Sequence, residues 1–297
     1  MPASGPPDQG SSVAVLGAGI MGSAMARNLL AAGCRVTAWD RSAPAAALLA
    51  EAGAVAAGSA PEAVRDSGLV ITALPSGDAV NLVMFGPAML EAFPPGCVWA
   101  QMGTIGVEAT FDIARRLGQL RPDVRFVDAP VLGGRGAAER AELLILASGP
   151  AVAAARAGPV FSVLGRRTVW LGDAGQGSKV KLVVNAYLSV LAEGVTEALE
   201  LAGRLGVSHA QLDEVIEGAP LGEPIAGPAR TAMDRRHAAA AFPVEWAGRD
   251  VDLALGAGHG DPLPLLATLA RQWQAAVDGG EGREDISAAR LALGGHS

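Results

Sequence analysis

The sequence predicts an α/β protein: a doubly wound, mostly parallel sheet, followed by an all-α C-terminal domain joined to it by a long helix. Three observations predict it. From Ser12 to about Gly172, short apolar β-rich runs alternate with alanine-rich segments at helical spacing, the pattern of βαβ units. A glycine-rich turn follows the first of those runs directly. Past Gly172 the alternation stops, and only helical patterns follow.

Taken in order, the strands fall at Val13 to Leu16, Arg35 to Trp39, Leu69 to Leu74, Cys97 to Met102, Arg125 to Ala129, Leu143 to Ala147 and Thr168 to Leu171, with a weaker one at Ala54 to Ala56. Between the first two lies a helix from Met21 to Ala32, closed by Gly33 as a C-cap residue. Another helix opens at Ser59, with Glu62 three residues on in a capping-box pattern. From about Gly175 to Leu205 one long helix is expected, because Val180, Val183, Val184, Tyr187, Leu188, Leu191 and Val195 form a broad apolar stripe. Shorter helices follow at Ser208 to Glu217, Trp246 to Ala257, Pro264 to Val277 and Ile286 to Leu293, broken by loops at Gly218 to Pro228 and Gly279 to Gly282. The expected domains are therefore a disordered tail over 1–11, a dinucleotide-binding domain over 12–173 and a helical substrate and dimerisation domain over 174–297.

Composition narrows the class. Half of the 297 residues are hydrophobic and 18% are charged, enough apolar material for a substantial buried core. A net charge of −7 without clustered Lys and Arg argues against nucleic acid, whose phosphates need such clusters. No apolar run is long enough to span a bilayer, and the opening MPASGPPDQGSS lacks the apolar segment of a signal peptide, so the expectation is a cytoplasmic protein with no membrane partner. Cys34 and Cys97 sit in apolar contexts and read as buried thiols. His209, His237, His259 and His296 lack metal-ligand spacing, and no metal is expected.

The turn is Gly17-Ala18-Gly19-Ile20-Met21-Gly22. Gly17 permits a tight turn, Gly19 lets the backbone approach a pyrophosphate, and Gly22 allows close helix–strand packing. Free N–H groups and the helix dipole then favour the phosphate charge. The motif follows a strand, opens a helix, and leads to Asp40 at the end of the second strand, 18 residues after Gly22. That context makes a Rossmann-type dinucleotide site the expectation. Asp40 is placed to bond a ribose 2′-OH, which favours NAD(H). Arg41 beside it can instead pair with a 2′-phosphate, lie over the adenine ring or stand as a solvated loop cation, and Ser42 is grouped with them as a cofactor residue. Both cofactors stay open, with NADP(H) slightly ahead.

Of the 23 basic residues, 21 are arginines, and the two lysines are Lys179 and Lys181. Arginine does not give up its proton in a protein, whereas a partly desolvated lysine can. Asn185 lies four residues beyond Lys181, so the two share a helical face one turn apart while Lys179 points elsewhere. Hydride transfer to a carbonyl creates an alkoxide that needs a proton. Lys181 can supply it, with Asn185 orienting the ammonium and the substrate oxygen.

These motifs resemble the β-hydroxyacid dehydrogenases, the group that contains 3-hydroxyisobutyrate dehydrogenase and the glyoxylate/succinic semialdehyde reductases. The resemblance runs from Ser12 to about Ala289. Gly17 to Leu29, with Met21, Met25 and Asn28, matches the family's opening motif. Met102-Gly103-Thr104-Ile105 is similar to its nicotinamide-side segment; Leu74 and Pro75 are grouped with Thr104 as cofactor residues. Asp128 to Gly134 matches a substrate motif, implying substrate contacts at Leu132, Gly133 and Gly134. Gly175 to Asn185 matches the catalytic motif, implying Lys181 as the catalytic lysine. Arg249-Asp250 stands where the family has Lys-Asp, implying further substrate contacts, and Glu284 to Ala288 is similar to a late motif of the semialdehyde reductases. A homodimer or homotetramer is also implied.

Two departures bear on the substrate. Leu132 replaces the serine that grips the substrate carboxylate, and Arg249 replaces a lysine. A guanidinium still binds a carboxylate bidentately, so Leu132 is the larger change. The reading is an NAD(P)-dependent oxidoreductase acting on a small carbonyl or alcohol, such as a semialdehyde or hydroxyacid. An imine reductase or reductive aminase is the alternative that an apolar Leu132 favours and Lys181 opposes. A non-catalytic nucleotide-binding protein is a third reading. Some residues keep two readings: Thr104 as a cofactor contact or a helix cap, Asp128 as a site residue or a loop-orienting side chain, and Asp250 as a site group or a helix-start carboxylate.

Overall fold

The computed structural model describes residues 10–218, 240, 242–257 and 263–286. The chain divides into two compact units, Met1–Lys181 and Leu182–Ser297. In the first unit, β1 (Ser12–Leu16), α1 (Ile20–Ala31), β2 (Arg35–Trp39), α2 (Ala43–Ala50), β3 (Val55–Ala56), α3 (Ala60–Val64) and β4 (Leu69–Thr72) come first. Then follow α4 (Gly77–Met84), α5 (Met89–Ala92), β5 (Val98–Gln101), α6 (Val107–Leu120) and β6 (Arg125–Asp128).

The six strands form one sheet in the order β3-β2-β1-β4-β5-β6, every pair parallel. Successive side chains of a strand face opposite sides, and the core divides accordingly. Val13, Val15 and Ile71 join one apolar cluster with Met25, Leu29 and Phe161. Ala14, Leu16 and Val70 join the other with Trp99, Ile113 and Phe126. Both faces are thus covered, which is why the strands read as near-continuous apolar runs. The strand order reverses between β1 and β4, the place where such sheets open a crevice at the carboxyl ends of their strands.

The later strands depart from a single sheet. β7 (Val131–Leu132), too short to be read from the sequence, pairs antiparallel with β8 (Leu144–Ala147), which pairs parallel with β9 (Arg167–Trp170). Together they form a separate three-stranded sheet, linked to the first by an Asp128–Ser148 bridge. α7 (Arg135–Glu139) and α8 (Ala151–Leu164) connect its strands, and α9 (Gln176–Leu205) leaves after β9. Gly10 donates to Gly33 O, and Arg35 N–H to Ser11 O, so the end of the expected tail is tied to the sheet; residues 1–9 lie outside the described residues.

The second unit contains most of α9, then α10 (His209–Gly218), α11 (Val244–Ala257) and α12 (Pro264–Ala276). Its core gathers Val244, Ala247, Val251, Leu266, Leu269 and Trp273, with Ala186 and Val190 of α9 against them. The expected loop at 279–282 overlaps a π-turn, Val277–Glu281, in which Gly280 takes φ +96°. The expected loop at 218–228, except Gly218, and the expected helix at 286–293, except Ile286, lie outside the described residues. No helix among the described residues is long and apolar enough to cross a membrane.

Cys97 is fully buried, and burial pushes its thiol up to about 12, with smaller opposing effects from Arg156 and Arg121. Burial also raises the Cys34 thiol. Only the thiolate reacts readily. A thiol reagent at pH 8 is therefore expected to leave both cysteines unlabelled in the native protein and to label both in denaturant. Rapid native labelling of either would contradict this burial.

Candidate active site

The glycine turn is shaped by close backbone approach. Gly17 has φ +103°, and a Cβ there would lie 2.6 Å from Ala73 O; a Cβ on Gly22 would lie 1.8 Å from Gly17 O. Neither position accepts a side chain. At Gly19 no atom lies within 4 Å of where a Cβ would stand; glycine there is not required by contacts within the chain. The backbone surface beside α1's first turn stays open, and the N–H groups of Ile20 and Met21 belong to the positive end of a helix. These features fit a dinucleotide pyrophosphate.

The remaining expected cofactor residues ring the same strand ends. Asp40 does not simply face outward: Oδ2 accepts from Ala18 N–H and Oδ1 from Ser42 N–H, each at 2.7 Å, so its carboxylate braces the turn. Arg41 and Ser42 are exposed. Leu74 lies against Gly17, and Gly103 lets its own loop close onto Leu74 O, which a Cβ there would meet at 2.6 Å. A buried polar chain fixes that loop. Trp99 Nε1 donates to Thr72 Oγ1, Thr72 to Gln101 Oε1, and Gln101 Nε2 to Gly103 O, at 2.9, 2.9 and 2.7 Å. Pro75 and Thr104 follow in the loops after β4 and β5. In the substrate motif, half-buried Leu132 pairs with Leu144 across β7 and β8. Gly133 has φ +125°, with no room for a Cβ against Ala137 and Leu143, and Gly134 precedes α7.

The start of α9 is held from a distance. Its first four N–H groups have no intrahelical acceptor, and all four find one elsewhere. Gln176 N–H donates to Asp173 O and Gly175 N–H to the Asp128 carboxylate, while Lys179 N–H begins the helix's own ladder at Gly175 O. Gly177 N–H donates to Ser148 Oγ at 2.9 Å, and Ser178 N–H to Asp128 Oδ2 at 2.8 Å. Ser178 Oγ also donates to Asp128 Oδ1 at 2.7 Å, Ser148 Oγ to Asp128 Oδ2 at 3.1 Å, and Thr110 Oγ1 lies 3.1 Å from Ser178 Oγ. Burial raises the Asp128 carboxyl, outweighing the hydrogen bonds from Ser178 and Ser148 that lower it. Of the two readings left open for Asp128, the structure supports the orienting one. The sequence does not reveal Ser178 and Ser148 as its partners because they lie 50 and 20 residues from Asp128, beyond any local motif.

Lys181 is half-buried one helical turn past Ser178. Lys179 is exposed, with Nζ 5.2 Å above the Phe111 ring, a different surface of the helix. In the second unit, Asn185 Nδ2 donates to Asp250 Oδ2 at 2.7 Å, and Arg249 donates to Asp250 Oδ1 at 3.2 Å. Asp250 and Asn185 are each 3% exposed, so this carboxylate is spent on neighbouring side chains. Among the described residues, no group of three or more His, Cys, Asp or Glu side chains is arranged to hold a metal ion.

Comparison with known proteins defines the class. Residues 12–172 match the model of the NAD binding domain of 6-phosphogluconate dehydrogenase, and residues 175–292 match the model for the NAD-binding region of NADP-dependent 3-hydroxyisobutyrate dehydrogenase. The chain is 32% identical over 279 residues to glyoxylate/succinic semialdehyde reductase 1 of Arabidopsis thaliana, covering 93% of this chain and 96% of that one. The solved structure of Mycobacterium tuberculosis 3-hydroxyisobutyrate dehydrogenase with L-serine superimposes with a TM-score of 0.84 at 29% identity, covering 96% of this chain and 99% of that one. An imine reductase from Pseudomonas sp. gives 0.66 at 25% identity, with 96% and 99% covered. An oxidoreductase that binds NAD(P) is thus defined by fold and turn alike. The chain belongs to the β-hydroxyacid dehydrogenase family.

The two glycine environments separate fold from binding. Gly22→Ala is expected to destabilise the protein strongly, because its methyl meets backbone. Gly19→Ala is expected to keep the thermal midpoint within about 2 °C yet weaken NAD(P)H binding about tenfold or more. Thermal unfolding and a fluorescence titration check both; unchanged affinity in Gly19→Ala would exclude this turn as the pyrophosphate site.

Proposed function

We propose that this oxidoreductase interconverts a short carbonyl compound bearing a carboxylate, such as a semialdehyde acid, and its alcohol, with Lys181 as proton donor and acceptor. One observation carries the reading. A chain that uses arginine at 21 of 23 basic positions keeps a half-buried lysine one turn beyond an anchored helix start, and lysine, unlike arginine, can release a proton there.

In this reading Gly17, Gly19, Ile20, Met21 and Gly22 receive the pyrophosphate, Asp40, Arg41 and Ser42 the adenosine side, and Leu74, Pro75 and Thr104 the nicotinamide side. When bound, the nicotinamide supplies or accepts the hydride at the substrate carbon. Lys181 hydrogen-bonds the substrate oxygen and gives it a proton as negative charge develops; in the oxidative direction its neutral amine takes that proton. Asn185 steadies both, its amide held by Asp250. Leu132, Gly133, Gly134 and Arg249 receive the rest of the substrate, with Arg249 the group suited to a carboxylate. Asp250 then acts through Arg249 and Asn185.

NADP(H) is favoured over NAD(H). Asp40's oxygens already accept from Ala18 and Ser42, which leaves exposed Arg41 to meet a 2′-phosphate, and the second matched model is that of an NADP-dependent enzyme. Residues 174–297 serve as the substrate and dimerisation domain of a cytoplasmic homodimer or homotetramer. A second reading, imine reduction, draws on the apolar Leu132 and on the likeness to an imine reductase.

A panel of one semialdehyde acid and one cyclic imine, each with NADPH and NADH, separates the readings. Semialdehyde reduction with NADPH preferred is expected. In the same assay Lys181→Ala is expected to lower kcat by about 100- to 10,000-fold while cofactor affinity stays within about twofold. Turnover of the imine alone, or an Ala variant with undiminished kcat, would overturn the proposal.

A further inference from the structure

We infer that Asp128, Ser148 and Ser178 are positioning residues for the proton donor: together they fix the axial and rotational setting of the first turn of α9, and with it the place of the Lys181 ammonium. The inference deepens the functional reading above and rests on it.

A helix is normally started by its own N-cap side chain. Gly175, the residue before α9, offers none. It is glycine because its φ is +98° and a Cβ would press on the Phe111 ring at 2.7 Å. The capping acceptors instead come from the ends of two strands: Asp128 closes β6, and Ser148 follows β8. Each grips a different N–H, those of Gly177 and Ser178, and Ser148 also donates to the Asp128 carboxylate that holds Ser178. The helix cannot slide or turn without breaking bonds to two different strands. Gly177 tightens the seat, since a Cβ there would lie 2.2 Å from Leu146 O. Ser178 has a second bond to the same carboxylate through Oγ, so backbone and side chain are fixed as one unit. Lys181 rises from the next turn of that unit. A cap made from the strands, rather than from the preceding residue, references the lysine to the end of β6, the strand that leads into the substrate motif and belongs to the same sheet as β1.

The chain's two lysines make the test direct. Lys179→Arg leaves Lys181 as the sole lysine, and reductive methylation with 13C-formaldehyde then gives one side-chain dimethylamine signal whose pH titration is read by NMR. In this background Ser178→Ala is expected to move the Lys181 pKa by half a unit or more, while the unmethylated variant loses tenfold or more in kcat with NADPH affinity within twofold. Ser178→Thr, which keeps the hydroxyl, is expected to restore both. Ser148→Ala, which removes the acceptor of Gly177 N–H, serves as a second variant, and thermal midpoints confirm that each protein is folded. An unmoved Lys181 titration in folded Ser178→Ala and Ser148→Ala overturns the inference whatever happens to kcat. A moved titration with unchanged kcat leaves the clamp standing and overturns instead the assignment of Lys181 as proton donor.

Discussion

A buried carboxylate at the head of a helix is the constraint on which the candidate site depends. Asp128 has no exposed surface, and desolvating a carboxylate costs several kcal/mol. Its donors, Ser178 N–H, Ser178 Oγ, Ser148 Oγ and Gly175 N–H, each contribute about 1.5–3 kcal/mol as bonds to a charged group, and the positive end of α9 adds to them. The opposing effects are comparable in size, so the charge earns its place through geometry more than through stability. Because burial raises this carboxyl above its ordinary 3.8, its ionisation opposes folding. Its contribution to stability is whole below that ordinary value and declines as pH rises through the raised one.

The dinucleotide turn works by the opposite device, the absence of side chains. Gly17 and Gly22 lack room for even a methyl, whereas Gly19 is open. The first two serve packing, and the third leaves open the backbone to which the proposed function brings a pyrophosphate. Asp40 links the two uses, since the carboxylate expected to read a ribose also holds Ala18 N–H in place. In the second unit Asp250 plays a comparable part, joining Asn185 to Arg249, while Trp273 Nε1 donates to Glu193 to join α12 to α9.

Much of this was legible in the sequence, for identifiable reasons. Strands buried on both faces write themselves as apolar runs, so the sequence places β1, β4 and β5 within one or two residues. The glycine spacing and Lys181–Asn185 are local patterns and were readable as such. β7 was not, because two residues carry no periodicity. The separation of β8 and β9 into their own sheet was not, because a run such as Leu144–Ala147 looks the same whichever strand it joins. The role of Asp128 stayed open because its partners are supplied by tertiary structure, and Asp40's inward bonds were hidden behind an outward reading that the spacing alone made natural.

Family membership makes the protein an NAD(P)-binding oxidoreductase, and the proposed function places hydride transfer at a carbon–oxygen bond between the open glycine turn and the anchored lysine. The most direct measurement follows the hydride itself. NADPH deuterated at each C4 position in turn is supplied with a semialdehyde acid, and the product is examined by mass spectrometry and NMR. The account predicts deuterium on the carbinol carbon from one of the two labelled faces, with a primary isotope effect on kcat/KM for that face. Reduced cofactor that binds but delivers no label to any carbonyl carbon would contradict it.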